Sequence, residues 1–156
     1  MGQIATMNSV ERLGQNHSCY LYDDCWYLMF ELNVNGYSFD VRNLEDLRAA
    51  LKGVGDTQFS EVWLLSSDGG PSLCALINRE AAWLMYLRHD EGDPGYSTRN
   101  PDYTGPEDTK IEYRLENGQV DEYPAAWNIT TQEALRALAH FFTTLERAPW
   151  LLWHEK

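Results

Sequence analysis

The stretch Ala81-Ala82-Trp83-Leu84-Met85-Tyr86-Leu87 is apolar at every position. Successive side chains of a strand point to opposite faces, so an unbroken apolar run fits a central strand covered on both sides. Seven such residues also fit a turn of buried helix. Immediately upstream, residues 72–77 and 59–65 read as two further strands. Asn78-Arg79-Glu80 separates the first of these from 81–87, and Ser66-Ser67-Asp68-Gly69-Gly70-Pro71 closes the second.

Farther upstream, residues 19–34 are dense in aromatic and apolar side chains, broken only at Asp23-Asp24, and read as strand. Asn35-Gly36 is a strong hairpin signal because both residues tolerate positive φ, and 37–41 is the return strand. Asn43 then caps a helix whose Leu44, Leu47 and Leu51 share one face, with Gly53 as the stop. Downstream, 96–98 is a short strand, 111–115 alternates cleanly, Asn117-Gly118 turns, and 119–123 returns. Thr130-Thr131-Gln132-Glu133 is a capping box, with Ile129 placed to staple against Ala134. Leu135, Leu138, Phe142 and Leu145 form the stripe of this second helix, Pro149 ends it, and 150–153 is a last strand holding Trp153 as a core residue. The pattern predicts an α+β fold, a single antiparallel sheet of about six to eight strands with two main helices packed against it. Residues 1–18, with one helical turn around 9–13, read as an N-terminal extension, and 19–156 as a single α+β domain.

At 156 residues the chain can bury a substantial core without disulfides or metals. Lys and Arg number 12 against 24 Asp and Glu, a net charge of −12. Such a surface repels phosphate backbones and anionic lipid, which excludes direct nucleic-acid and membrane binding and favours a cationic partner. It also opposes self-association, so a monomer or weak dimer is expected for the chain alone. The longest apolar runs, 25–30 and 81–87, fall far short of the ~20 residues that span a bilayer. Residues 1–18 show no basic region followed by an apolar stretch, hence no secretory signal. Met1-Gly2 with Thr6 fits a myristoylation pattern, but without a polybasic flank one acyl chain anchors only marginally. Cys19, Cys25 and Cys74 lack CxxC spacing and read as reduced, mostly buried thiols of a cytoplasmic protein.

Catalytic signatures are missing: no GxGxxG, GxxxxGK[ST], GxSxG or HExxH run occurs. Of His17, His89, His140 and His154, only His89 has carboxylates nearby in sequence, at Asp90, Glu91 and Asp93. A small metal-dependent enzyme centred on His89, Asp90 and Asp93 is one alternative, although the spacing matches no EF-hand. The main reading is non-enzymatic, with no cofactor and no metal.

Between residues 90 and 108 the periodicity vanishes among Gly92, Pro94, Gly95, Pro101, Gly105 and Pro106. Loops this long are functional or disordered, and Pro and Tyr are ordering residues. Residues 90–123 hold ten acids and three bases, with Tyr96, Tyr103, Tyr113 and Tyr123 interleaved. Tyrosines among carboxylates offer rigid contact area with polar tips, the chemistry of an interface with a basic partner. Asp90, Glu91, Asp93, Tyr96, Asp102, Tyr103, Glu107 and Asp108 are the partner-binding candidates, while Tyr113 and Tyr123 are expected to pack inward. A competing interface centres on the Asn35-Gly36 hairpin with Tyr37 and Asp40.

Leu84-Met85-Tyr86-Leu87-Arg88, Gly92-Asp93-Pro94-Gly95-Tyr96-Ser97, Asn100-Pro101, Tyr113 through Asn117-Gly118-Gln119 to Tyr123-Pro124, and Trp153-His154-Glu155 follow in that order. This series, over 26–155, resembles immunity protein family 1 of bacterial polymorphic toxin systems. The resemblance implies an α+β protein with a C-terminal Trp-Glu motif, here Trp153 and Glu155 with a His between, encoded beside toxins of the nucleic-acid deaminase superfamily. It implies toxin neutralisation by direct protein–protein binding. The partner would be a basic, nucleic-acid-acting toxin domain, occluded through the acidic, Tyr-bearing surface. An acidic DNA-mimic inhibitor of another nucleic-acid-binding protein would use the same electrostatics.

Overall fold

A computed structural model describes Cys19–Tyr22, Cys25–Leu28 and residues 30–66, 69–89 and 91–156. The described chain runs β1 (Cys19–Tyr22), β2 (Cys25–Leu28), β3 (Phe30–Val34), β4 (Tyr37–Val41), α1 (Leu44–Leu51), β5 (Phe59–Ser66), β6 (Ser72–Asn78) and β7 (Ala81–Leu87). It continues through β8 (Tyr96–Arg99), β9 (Lys110–Arg114), β10 (Val120–Pro124), a 3-10 turn (Ala125–Trp127), β11 (Ile129–Thr130), α2 (Thr131–Thr144) and β12 (Leu152–Glu155). One antiparallel sheet of eight strands carries the order β12-β8-β7-β6-β5-β3-β4, with β11 also beside β7. The fold is α+β, as the sequence predicts.

The apolar run at 81–87 is a strand, and both of its faces are covered. Register pairs Ala82 with Ile77 and Leu84 with Ala75; these join Leu73, Leu64, Val62 and Leu32 beneath the two helices. The intervening positions, Trp83 opposite Leu76 and Met85 opposite Cys74, form the other face, which the β9–β10 hairpin covers with Tyr113, Ile111 and Tyr123. The hairpin is therefore its own two-stranded sheet lying on the main one, and it supplies the second cover that the apolar run implies without naming. Trp83 stacks on Tyr123 with centroids 4.0 Å apart and planes 6° from parallel.

Local signals act as expected at several joints. Asn43 accepts the Asp46 N–H at 2.8 Å to start α1. Thr130 and Glu133 exchange both bonds of the capping box at α2, with Ile129 and Ala134 buried beside it. Asn35 and Gly36 hold positive φ at 52° and 85°. Asn35 is also tied to β5 through its N–H to the Glu61 carbonyl and its Oδ1 to the Glu61 N–H. A Cβ on Gly36 would sit 2.8 Å from the Glu116 carboxylate, so this turn is packed against the tip of the β9–β10 hairpin.

Elsewhere boundaries move. The single strand read over 19–34 is three strands, because β1 and β2 pair antiparallel with Tyr22 opposite Cys25. α2 stops at Thr144, well before Pro149, because Leu145 adopts φ 61° and returns its N–H to the Phe141 carbonyl. Leu145 is thus the cap, though its side chain still packs against the helix-side core with the stripe. The last strand shifts from 150–153 to Leu152–Glu155, since Ala148 draws in Leu151 N–H and the Trp153 indole N–H. Cys74 is buried and unpaired. The extension 1–18 and its turn at 9–13 lie outside the described residues.

A buried polar knot fastens the hairpin to the sheet. The Tyr113 hydroxyl donates to Asn128 Oδ1, while Asn128 Nδ2 donates to the Pro124 and Ala125 carbonyls at 3.0 and 3.3 Å. Thr98 fills the gap where β8 leaves β7: its hydroxyl accepts Leu84 N–H at 3.2 Å and donates to the Trp127 carbonyl at 3.0 Å. Burial pushes both phenols up, that of Tyr123 to about 12. Tyr113→Phe should lower stability by about 1–3 kcal/mol, because Asn128 Oδ1 then stays buried without a donor. Urea unfolding measures this, and an unchanged midpoint would show that the knot contributes nothing.

Candidate functional site

Segment 88–109 is not one loop, as the vanished periodicity suggests, but two, divided by β8, which sits in the sheet between β7 and β12, and each is bent by its own side chains. Asp93 is the first anchor. Its carboxylate accepts Arg88 N–H at 2.5 Å, Gly95 N–H at 3.1 Å and the Arg88 guanidinium at 2.6 Å, and its side chain has no exposed surface. The Arg88 guanidinium and these amide donors hold the Asp93 carboxyl well below the usual carboxylate range. The same guanidinium reaches Glu155 Oε1 at 3.1 Å, so the strand-end acid of β12 braces the start of the loop. Asp93 is therefore turned into the loop, not out towards a partner. Glu91 and His89 are exposed beside it, and Asp90 lies outside the described residues. Among the described residues no three His, Cys, Asp or Glu side chains gather in a metal-binding arrangement.

The second loop is built on Asn100-Pro101. Asn100 N–H donates to the Ala126 carbonyl at 2.7 Å, and Asn100 Oδ1 accepts Asp102 N–H at 3.0 Å. Tyr103 folds back so that its hydroxyl donates to the Pro106 carbonyl at 3.0 Å, with its ring over Gly105, where a Cβ would collide. Thr109 N–H returns to Pro106, and Ala125 N–H to Thr109. Asp102, Glu107 and Asp108 stand exposed on this frame with no ion pair among the described residues, while Tyr103 is half-buried.

The loop runs directly into the β9–β10 hairpin, whose outward face sets two acids, Glu112 and Glu122, among two bases, Lys110 and Arg114. Glu112 lies directly opposite Glu122 in the hairpin register, and both are exposed. Arg114 offers Glu112 only a loose contact of 3.9 Å. Tyr113 and Tyr123 point inward, as expected. Asp121 accepts from Gln119 Nε2 at 2.8 Å.

Tyr96 belongs elsewhere. Its ring lies beneath the Arg147 guanidinium, 3.7 Å from the centroid, with Arg88 at 5.2 Å. It lines an open groove of about 480 Å3 with Tyr86, Leu151 and Trp153. Trp153 is half-buried against the helix-side core, and its strand neighbour Glu155 pairs with Arg88. The structure thus separates the seven described candidates into an outward acidic set, an internal brace and a groove.

The family model of the immunity protein Imm1 matches residues 35–155. The chain belongs to the Imm1 immunity protein family. The match starts at Asn35, later than the span from residue 26 read in the sequence, and takes in everything from the first hairpin turn to Glu155. No curated protein matches the chain. As a member of the Imm1 family it is an immunity protein whose partner is a cognate toxin. Among the described residues no helix is long and apolar enough to cross a membrane.

Sequence reading missed Arg147, Arg99 and Asn128. Arg99 lies 3.8 Å over the Trp127 ring and donates to Ser97 Oγ and the Thr98 carbonyl; burial pulls its guanidinium below the usual range. What each does across the fold, Arg147 on Tyr96, Arg99 on Trp127 and Asn128 with Tyr113, involves a partner distant in sequence and so leaves no local signal.

Asp93→Asn tests the brace. A carboxyl depressed in the folded state adds stability that is present above its unfolded pKa of ~3.9 and is lost as pH falls below it. The variant should melt lower than the parent at pH 7, and the gap should narrow as pH drops below ~4. A gap that is constant with pH would place the loss in packing, not charge.

Proposed function

We propose that this immunity protein neutralises a toxin that acts on nucleic acid, of the deaminase superfamily, by covering the toxin's cationic groove with the exposed acids of the loops on either side of β8, within 91–108, and the outward face of the β9–β10 hairpin. One observation carries the reading: Glu112 faces Glu122 directly on an exposed hairpin. Like charges in that register destabilise a sheet, and of the two bases on that face Arg114 reaches Glu112 only at 3.9 Å while Lys110 forms no ion pair among the described residues, so the arrangement favours a cationic partner that relieves it. Glu91, Asp102, Glu107 and Asp108 add further exposed charge along the same chain segment.

The physics of such a complex is competitive. A groove that binds phosphates presents Lys and Arg, and counter-ions held there are released when fixed carboxylates replace them. Diffuse acids speed encounter, while partly buried rings such as Tyr103 slow departure. The loop's internal bonds matter because a preordered surface loses less conformational entropy on binding. Binding and occlusion require no reacting group on this chain, so the reading is non-enzymatic. An inhibitor of another nucleic-acid-binding protein by DNA mimicry rests on the same charges. A cytoplasmic site of action suits a partner that attacks nucleic acid.

Asp102→Lys, Glu107→Lys and Asp108→Lys together should leave the melting temperature nearly unchanged, since exposed substitutions typically cost under ~0.5 kcal/mol each. Against the toxin domain encoded beside this chain, the triple variant should associate more slowly, with a weaker salt dependence of the association rate. Unchanged association together with full protection of cells would remove the loop from the interface.

A further inference from the structure

The groove beside β8 holds a positive charge that the fold does not neutralise. Arg147 follows the left-handed cap of α2, and its guanidinium carbon lies over the Tyr96 ring, 3.7 Å from the centroid, with the Tyr86 ring at 5.7 Å. Among the described residues it forms no hydrogen bond and no ion pair, in a chain with twice as many acids as bases. Arg88, on the same groove, is satisfied twice over, by Asp93 at 2.6 Å and Glu155 at 3.1 Å. Glu146 also lines the groove but is exposed and does not pair with Arg147.

A guanidinium stacked on an aromatic ring keeps its in-plane donors free and fixed in direction, which is the geometry that grips a carboxylate with two parallel bonds. Leu151, Pro149 and the Trp153 ring supply apolar surface next to it. The Trp153 indole N–H is already taken by the Ala148 carbonyl at 2.9 Å, so the tryptophan offers only its ring. The groove therefore matches a short side chain with an apolar stem and one negative tip. A doubly charged phosphate is a poorer fit, because Asp93, Glu146 and Glu155 all lie around the same groove and only one positive charge is uncompensated.

We infer that this groove is a second contact site for the toxin, in which Arg147, held on Tyr96, binds an aspartate or glutamate side chain of the partner. The inference rests on the toxin-binding reading above and deepens it. Acidic residues elsewhere steer a basic partner, and this inverted charge fixes the orientation in which it docks.

The test is stopped-flow and surface-binding kinetics of the parent, Arg147→Ala, Arg147→Lys and the triple lysine variant against the toxin domain encoded beside this chain. Thermal melts accompany each protein. Arg147→Ala should dissociate roughly tenfold faster or more, as loss of a buried arginine anchor does. Its association with a basic toxin should be unchanged or slightly faster, since the variant is more negative. Arg147→Lys retains charge but not the planar fork, so it should stay close to Arg147→Ala and melt like the parent. The inference is overturned if Arg147→Ala and Arg147→Lys dissociate at the parental rate, or if lysine restores the parental rate in full. Slower association of the triple variant in that same series would leave the acidic-surface reading standing while the groove fails. Absence of any complex between the parent and the toxin would overturn both.

Discussion

Strands β6 and β7 have no polar face to leave in water, and that demand organises everything around them. Exposing Trp83, Leu76 and Met85 on one side or Leu84, Ala75 and Ile77 on the other would forfeit burial worth about 1.5–3 kcal/mol per large side chain. The helix side is closed by α1 and α2, with Phe30 of the sheet against both Phe141 and Phe142 of α2. The opposite side needs a second cover, and the chain after β8 supplies it as the β9–β10 hairpin. Loop 100–109 is the lead-in to that cover, clamped at one end by Asn100 to Ala126 and at the other by Thr109 to Ala125. The exposed acidic segment thereby inherits its frame from a packing requirement beneath it.

Much of this was legible along the chain. Turns, caps and both helices follow from short-range rules that need only neighbours: Asn35-Gly36, Asn117-Gly118, Asn43 and the Thr130–Glu133 box each appear where the sequence puts them. The two-faced apolar run even implied a cover on each side. What could not be read was which element provides the second cover, because Tyr113 and Asn128 are partners only once the hairpin has docked. The end of α2 was misplaced for a related reason. Leu145 takes a left-handed conformation that its side chain disfavours, and the Tyr86 hydroxyl donating to its carbonyl at 3.3 Å comes from the sheet, not from the local sequence.

The candidate site divides the same way. Composition located the acidic segment, since charge density is a property of the sequence itself. It did not distinguish Asp93 from Asp102, which are chemically identical side chains with opposite uses. One is consumed by Arg88 and two backbone amides; the other projects from an Asn100 turn whose frame it does not support. Only geometry separates a carboxylate that shapes a loop from one that the loop presents. The family-motif pair shows this too: strand alternation puts Trp153 and Glu155 on one face, and the intervening His154 on the other.

With few cations and many acids, one would expect each arginine to collect carboxylates, yet five of them, Arg88, Arg99, Arg114, Arg136 and Arg147, lie over aromatic rings. Only Arg88 and Arg114 also form ion pairs among the described residues. Stacking holds a guanidinium through its weakly hydrated face and requires no anion. Acids that would otherwise be neutralised thus keep their charge at the surface, while the cations sit at fixed positions on Tyr96, Trp127, Phe59 and Trp150. A field of unpaired carboxylates acts at long range and discriminates poorly between basic partners. A few immobile cations act at contact and penalise any partner that brings a like charge to them. Specificity in a strongly acidic inhibitor then depends on where its scarce positive charges are pinned, and the aromatic-rich composition is what pins them.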